Sequence, residues 1–433
     1  MSDHQDKLER VAAQLRAHDP SRPVSLRKRS VSHRVPKRDD ATRHDDKIDI
    51  ADLDRILAVD PETQTCTAEP GVTFVDLVRA TLPLGLAPAI VPELETITIG
   101  GAVAGCSIES ASFRYGGFHD TCLEYEIVTA RGDVVRAKPD SLLFQMMHGT
   151  FGTLGILTEL KFRLVPAKPF VHVVYETYAT LSAYEAAIAR HASEEDLDFM
   201  DGIIHSPQKF VLSLGRFEDR APYTSRYDWM KIYWQSTGER CEDHMRTRDY
   251  FFRYDAGVTN VHPKSRVMRF LFGKFLRSSR LLRAADKLHF MLPKRPDVTV
   301  DLFLPLSKVD RFMDWYEREL DHFPIWCVPY RRVRDYEWIA PRVFDGLPDE
   351  LFLDLAIYGA KQRRGHDEYA EIEHELDELA ALKTLISHNR YDEESFWRTW
   401  NKPNYDAVKK LTDPDGVFRG LYEKTCRAMQ GAT

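Results

Sequence analysis

Leu8, Val11, Ala12 and Leu15 recur at three- and four-residue intervals and put one apolar face on a helix over residues 5–18, which Pro20 stops. Val24 to Leu26 reads as a brief strand. Ile48 to Leu57 and Thr65 to Glu69 read as strands around a turn at Asp60-Pro61. Thr73 is placed to cap a helix reaching Leu82, with Asp76 three residues on. Tyr125 to Ala130 and Asp133 to Arg136 flank Arg131-Gly132, the pattern of a hairpin or tight turn. Gly155 to Leu164 is the next strand and closes at Pro166. Beyond it the texture changes: helical patterns at 182–192, 267–288, 308–320 and 367–383 are separated by strand-like runs at 170–177, 298–304 and 351–358. The shift sets an expected domain boundary near Pro166 to Pro169.

Composition narrows the classes. The chain has 433 residues, 43% of them hydrophobic and 29% charged, which excludes a largely disordered or collagenous chain. Its net charge of −7 argues against nucleic acid as a main partner, because phosphate binding needs concentrated Lys and Arg. Cysteines at 66, 106, 122, 241, 327 and 426 show no CxxC spacing, so no metal site is expected and free thiols in a reducing compartment are. Residues 1–19 hold no apolar segment and no apolar run reaches 18 residues, so a cytoplasmic protein without a membrane span is expected.

The charge is unevenly spread. Arg27 to Arg43 is basic, and residues 264–287 hold eight cationic side chains against Asp286 alone. With Val267, Phe270, Leu271, Phe275, Leu281 and Leu282, the second stretch reads as a basic amphipathic helix at a membrane surface, or as a solvated helix packed on the protein.

The densest chemical signal lies between Glu69 and Ile156. Thr98-Ile99-Gly100-Gly101 places two glycines after an expected β-branched strand. Ser107, Ser110 and Ser112 follow among small residues, then Arg114-Tyr115-Gly116-Gly117 and the glycines 149, 152 and 155. Glycines let backbone N–H groups approach a polyanion and hydroxyls add donors, although glycines at turns are commonly only turns. Neither GxGxxG after a strand nor GxxxxGK[ST] is present, which sets aside the Rossmann and P-loop sites.

Six pieces in order resemble the flavin domain of the vanillyl-alcohol-oxidase superfamily. They are Ala68-Glu69-Pro70-Gly71-Val72-Thr73, Leu84-Gly85-Leu86, Thr98-Ile99-Gly100-Gly101, Arg114-Tyr115-Gly116, Val128-Thr129-Ala130-Arg131-Gly132 and Gly152-Thr153-Leu154-Gly155-Ile156. Pro92-Glu93-Leu94, Gly105-Cys106-Ser107-Ile108-Glu109-Ser110, Tyr125-Glu126, Phe323-Pro324-Ile325-Trp326 and Phe396-Trp397 are similar to its delta-24 sterol reductase branch. The resemblance implies an α+β fold: a two-subdomain PCMH-type FAD-binding domain over residues 1–167, an α+β cap over 168–384, and a segment 385–433 returning to the FAD domain. It implies that Gly100 and Gly101 line the FAD pyrophosphate, that Ser107 contacts the flavin and Ser110 adds a hydroxyl, that Tyr115, Gly116 and Gly117 approach the cofactor, and that Ile156 meets the adenine side by its backbone. Ile108 stands where relatives carry a histidine, so non-covalent FAD is expected. The usual glycine-rich pyrophosphate loop is replaced by Arg27-Lys28-Arg29-Ser30-Val31-Ser32-His33, where cationic side chains are expected to do its work.

A reductase of an unactivated C=C needs a positioned proton donor. Three groups qualify by type: Tyr250 and Arg253 in an aromatic run, His388 and Tyr391 before Phe396-Trp397, and Asp301 in an otherwise apolar strand. Each also has a purely structural reading. The expected activity is reduction of a lipid C=C, on a sterol side chain or a methylene-branched acyl chain, with NAD(P)H as electron donor. The competing readings are an FAD oxidase or dehydrogenase using oxygen or a quinone, and a lipid-binding protein that has lost flavin.

Overall fold

The structure, a computed structural model, describes residues 3–255, 257, 283–285 and 287–428. The basic stretch at 264–287 and the helical pattern at 267–288 lie largely outside the described residues.

The N-terminal helix α1 (Asp3–Ala17) buries Leu8, Val11, Ala12 and Leu15 against Ile48, Val128, Ile156 and Phe418. Its first turn is also held by charge. His4 Nδ1 lies 2.9 Å from Glu69 and its Nε2 lies 3.1 Å from Glu126, while Lys7 Nζ lies 2.9 Å from Glu69. Strands β1 (Val24–Arg27) and β2 (Asp46–Asp49) pair in parallel as a separate small sheet. The next strands are β3 (Ile56–Asp60), β4 (Thr65–Ala68), β5 (Leu86–Pro88), β6 (Cys122–Val128), β7 (Val134–Ala137) and β8 (Ile156–Pro166). They form an antiparallel sheet ordered β3-β4-β8-β6-β7, with β5 added beside β8. Helix α2 (Phe74–Thr81) starts where its cap predicts, with Thr73 Oγ1 accepting from the Asp76 N–H.

Gly100 and Gly101 do not follow a strand. They open a helix, α3 (Ile99–Gly105), because Thr98 Oγ1 accepts the Gly101 N–H and starts a helical turn. The Gly100 N–H is held by Pro70 O at 2.9 Å, and a Cβ there would stand 2.6 Å from the Pro70 Cβ.

A second sheet begins at Phe170. Its strands are β9 (Phe170–Tyr178), β10 (Phe199–Ser206), β11 (Lys209–Glu218), β12 (Glu242–Arg246), β13 (Val298–Pro305), β14 (Ile325–Arg331), β15 (Leu351–Ala360) and β16 (Leu382–Lys383), ordered β12-β9-β11-β10-β14-β15-β13-β16. The pattern at 367–383 is thus divided: the helix runs Glu368–Glu378, Ala380 takes a positive φ of 53°, and Leu382–Lys383 is an edge strand. Leu302, Leu304, Leu353 and Leu355 face helices Leu181–His191, Val309–Glu319 and Glu368–Glu378 in a core of their own. The alternate residues, among them Asp201, Phe303, Tyr330 and Phe352, face the first sheet's domain. The segment after β16 runs back to that domain: Ala130 N–H donates to Thr412 O, Val24 N–H to Val417 O, and Lys409 Nζ to Thr153 O.

One guanidinium ties the two parts. Arg253, with a fully buried side chain, lies 2.9 Å from Glu109 of the first domain and 3.0 Å from Asp201 of β10. It stacks on Tyr250 at 4.1 Å and Tyr254 at 4.8 Å. Beside it the Tyr250 hydroxyl donates to Ser110 Oγ, Met200 N–H donates to Ser110 O, and Tyr254 and Trp326 donate to Asp201. Arg253→Met is expected to strand two buried carboxylates and lower stability by roughly 3–5 kcal/mol, read by denaturant unfolding. At the other end of the domain, Glu126 and Glu69 raise His4 from 6.5 to about 9. A raised pKa means that the stabilisation is complete below pH 6.5, declines between 6.5 and about 9, and is lost above. His4→Leu is therefore expected to remove about 3 kcal/mol at pH 6 and little at pH 10, measured by unfolding at both pH values.

Candidate functional site

Between the two sheets lies a partly open cavity with an apolar lining. The first domain lines it with Gly105, Cys106, Ile108, His119, Gly149 and Phe151, and the second sheet with Phe303, Tyr330, Phe352, Lys383 and Thr384. Tyr336, Trp338, Ile339, Phe344 and Trp400 close it. The wall is aromatic and aliphatic, as suits an extended apolar ligand or a planar ring. At one side Asp120 accepts the Tyr336 hydroxyl at 3.0 Å and pairs with Arg334 at 3.3 Å, and the Tyr330 and Tyr336 hydroxyls bond each other. Burial lowers the His119 pKa, which keeps its imidazole neutral. Sequence reasoning missed the wall residues from 330 to 338; the signal was the same-parity spacing of Tyr330, Arg332, Tyr336 and Trp338.

A second feature adjoins the cavity. The segment after β1 is held to the return segment by Val35 N–H donating to Ile386 O and Arg34 Nη2 donating to Lys424 O, and Arg34 lies over the Phe151 ring at 5.9 Å. Lys37 is buried and forms no ion pair among the described residues. Burial, with repulsion from Arg34 and Lys383, lowers it to about 6, and burial with Arg34 and Lys28 lowers Lys424 to about 7. Lys424 is only half-buried, so it faces a narrow cleft rather than a packed core. His33 Nδ1, Arg34 Nε and His388 Nε2 are buried with no hydrogen-bond partner. Cations and donors gathered without a counter-ion fit a diphosphate-bearing ligand such as FAD, whose charge would reverse these shifts.

The residues picked from sequence do not all meet. Ile108 lines the cavity. The N–H groups of Gly100 and Gly101 already have protein partners. Ser107 O accepts the Phe118 N–H, and Ser110 serves the joint at Arg253 with Tyr250. Gly116 takes a φ of +74°, and the Gly117 N–H donates to Asp120, so these glycines shape the turn carrying His119 and Asp120 behind Tyr115. Ile156 packs under α1. Tyr391 stands 5.3 Å from Trp400 and is thus one layer behind the wall. His388 lies beside Lys37 in the cationic cleft, and burial lowers it to about 2. Asp301 is buried, not solvent-facing; Tyr358 donates to it at 2.6 Å and Thr384, a wall residue, at 3.4 Å. Glu93 was not picked. Burial, with Glu109 and Asp301 nearby, raises it to about 8. One group of potential metal ligands exists among the described residues, His172, Glu242 and His244, on strands β9 and β12 at the sheet edge. No helix among the described residues is long and apolar enough to cross a membrane.

Residues 12–138 match the family described as an FAD binding domain. The chain is 24% identical to a delta(24)-sterol reductase of Pisum sativum over 98% of its own length and 84% of the pea protein. It is 25% identical to the Homo sapiens delta(24)-sterol reductase over 86% of this chain and 76% of the human one. Cytokinin dehydrogenase 6 of Oryza sativa subsp. japonica is 31% identical over 36% of this chain and 30% of the rice protein. The chain is an FAD-dependent oxidoreductase with a PCMH-type FAD-binding domain, related along nearly its whole length to the delta(24)-sterol reductases.

Proposed function

We propose that this protein reduces a C=C bond of a lipid, a sterol side chain of the delta-24 type or a methylene-branched acyl chain, with NAD(P)H as electron donor and non-covalent FAD. In this reading the small β1–β2 layer and the antiparallel sheet are the two FAD-binding subdomains (residues 1–167). The eight-stranded sheet is the cap (168–384), and 385–433 is the returning segment. The observation that carries it is the aromatic cavity between the sheets, with cationic side chains that lack a paired carboxylate on one side and buried carboxyl groups on the other.

Bound FAD, once reduced by the nicotinamide donor, would supply the hydride. The chain's residues do the rest. Lys37, Arg34 and Lys424 hold the diphosphate, with Lys28 adding charge at the mouth. Ile108 replaces the histidine of covalent relatives and offers an apolar face. Phe303, Tyr330, Phe352 and Trp338 exclude water from the alkene and hold it flat against the cavity floor. The match to the cytokinin dehydrogenase is confined to about a third of this chain, whereas the sterol reductases match both sheets, which favours reduction of a lipid over oxidation of a small amine.

Incubation with FAD, NADPH and either lipid is expected to add two hydrogens to the product, read by mass spectrometry; recovery of both lipids unchanged would remove the substrate class. Lys37→Ala and Lys424→Ala are each expected to weaken FAD about tenfold or more, the effect of losing one charge-assisted contact. Cofactor-free Lys37→Ala is expected to melt higher than the wild type, because a buried cation without a partner has gone. Unchanged FAD affinity in titration calorimetry would detach the cleft from the cofactor.

A further inference from the structure

The inner face of the second sheet carries more buried carboxyl groups than the joint at Arg253 uses. Asp301 on β13 stands opposite Ala356, and Asp354 on β15 stands opposite Phe303. The two are diagonal neighbours on one face of adjacent strands, within side-chain reach of each other. Asp354 is 3% exposed and its Oδ1 has no hydrogen-bond partner. Asp301 accepts from Tyr358 on Oδ1, which leaves Oδ2 on the side of Thr384 and the cavity wall.

None of these acids forms an ion pair among the described residues, although the Arg253 charge lowers Glu93 somewhat. Arg253 is held between Glu109 and Asp201, and Lys383 Nζ is engaged by Glu373 at 2.7 Å and by His388 O at 2.6 Å. Burial, with Asp301 and Glu93 close by, pushes Asp354 well above the usual carboxylate range, and Glu93 rises to about 8. Burial raises Asp301 as well, against the hydrogen bonds from Tyr358 and Thr384. Two carboxyl groups placed this near each other on a buried face cannot both ionise readily, so a proton remains on the Asp301–Asp354 pair, with half-buried Glu93 beside it.

We propose that Asp301, Asp354 and Glu93 form a proton store, and that Asp301, the member beside the cavity wall, delivers the proton that reduction of the alkene requires. This rests on the reading of the cavity as a C=C reductase site. In the step, the Asp301 O–H bond breaks and the π pair of the alkene forms the new C–H bond. The other carbon takes the hydride of the reduced flavin. The Asp301 carboxylate then regains a proton from Asp354 or Glu93, which refill from water. The groups facing Asp301 are Tyr358 and Asp354 of β15, Thr384 after β16, and Glu93 across the joint.

Two measurements test this. Infrared difference spectra of the cofactor-free protein at pH 7 are expected to show the C=O stretch of protonated carboxyl groups, diminished in Asp354→Asn and in Glu93→Gln. With FAD bound, Asp301→Asn is expected to take electrons from NADPH at the wild-type rate and to form reduced lipid about a hundredfold more slowly, the lower range for a lost general acid. Asp301→Glu is expected to recover part of that rate, and FAD content verifies the folding of each variant. Wild-type product formation by Asp301→Asn overturns the assignment, as does an infrared spectrum without protonated carboxyl at pH 7. A wild type inactive on both lipids is a failure of the functional reading instead, and the loss of infrared band intensity in Asp354→Asn and Glu93→Gln then decides whether the store exists.

Discussion

The structure depends on one buried cation placed where two sheets meet. Arg253 joins Glu109 from the first domain to Asp201 from the second, and three tyrosine rings stack around it. An ion triad of this kind adds little net stability compared with a packed apolar seam, because desolvation offsets most of the attraction. What it adds is register. Neither carboxylate can leave without exposing a buried charge, so the second sheet has one docked position. That position sets the width of the cavity and the side from which each wall residue enters it.

The charges around the cavity are sorted by sign. Lys37, Lys424 and Arg34 lie where the segment after β1 meets the return segment; burial lowers the pKa of each, and the Arg34 charge lowers both lysines further. Glu93, Asp301 and Asp354 lie towards the second sheet; burial raises the pKa of all three, and Asp301 adds to the rise of the other two. Left alone, each group would be a defect, since like charges packed in a low dielectric destabilise the fold. Together they make sense for an enzyme that binds a dianionic cofactor at one end and consumes a proton at the other. In the proposed function, stability given up at both ends would be regained when the diphosphate binds and when the acid reacts.

Much of the first domain was legible in the chain because its signals are local. Thr73 and its helix, the hairpin at Arg131-Gly132 and the apolar face of α1 each need only neighbouring residues to form. The glycines 100 and 101 were misplaced because a cap at Thr98 outweighed the β-branched pair before them. In the second sheet, β10, β11 and β14 were not recognised: Phe199 to Ile204 and Phe210 to Gly215 are buried on both faces, which erases the alternation that marks a strand. The basic stretch after β1 was visible as composition, although Arg27 and Arg29 pair with Asp49 and Asp54. Asp354 was not visible, because a carboxylate in a strand looks the same whether it meets water or another acid. Only register across β13 and β15 brings Asp301 and Asp354 together.

The central claim is that this cavity hands electrons from bound FAD to a lipid alkene. The direct measurement is anaerobic stopped-flow: reduce the FAD-loaded protein with NADPH, mix it with a delta-24 sterol, a methylene-branched acyl lipid or air-saturated buffer, and follow the flavin absorbance. Rapid recovery of oxidised flavin is expected with one of the lipids, and slow recovery with oxygen. Rapid recovery with oxygen and none with either lipid would contradict it.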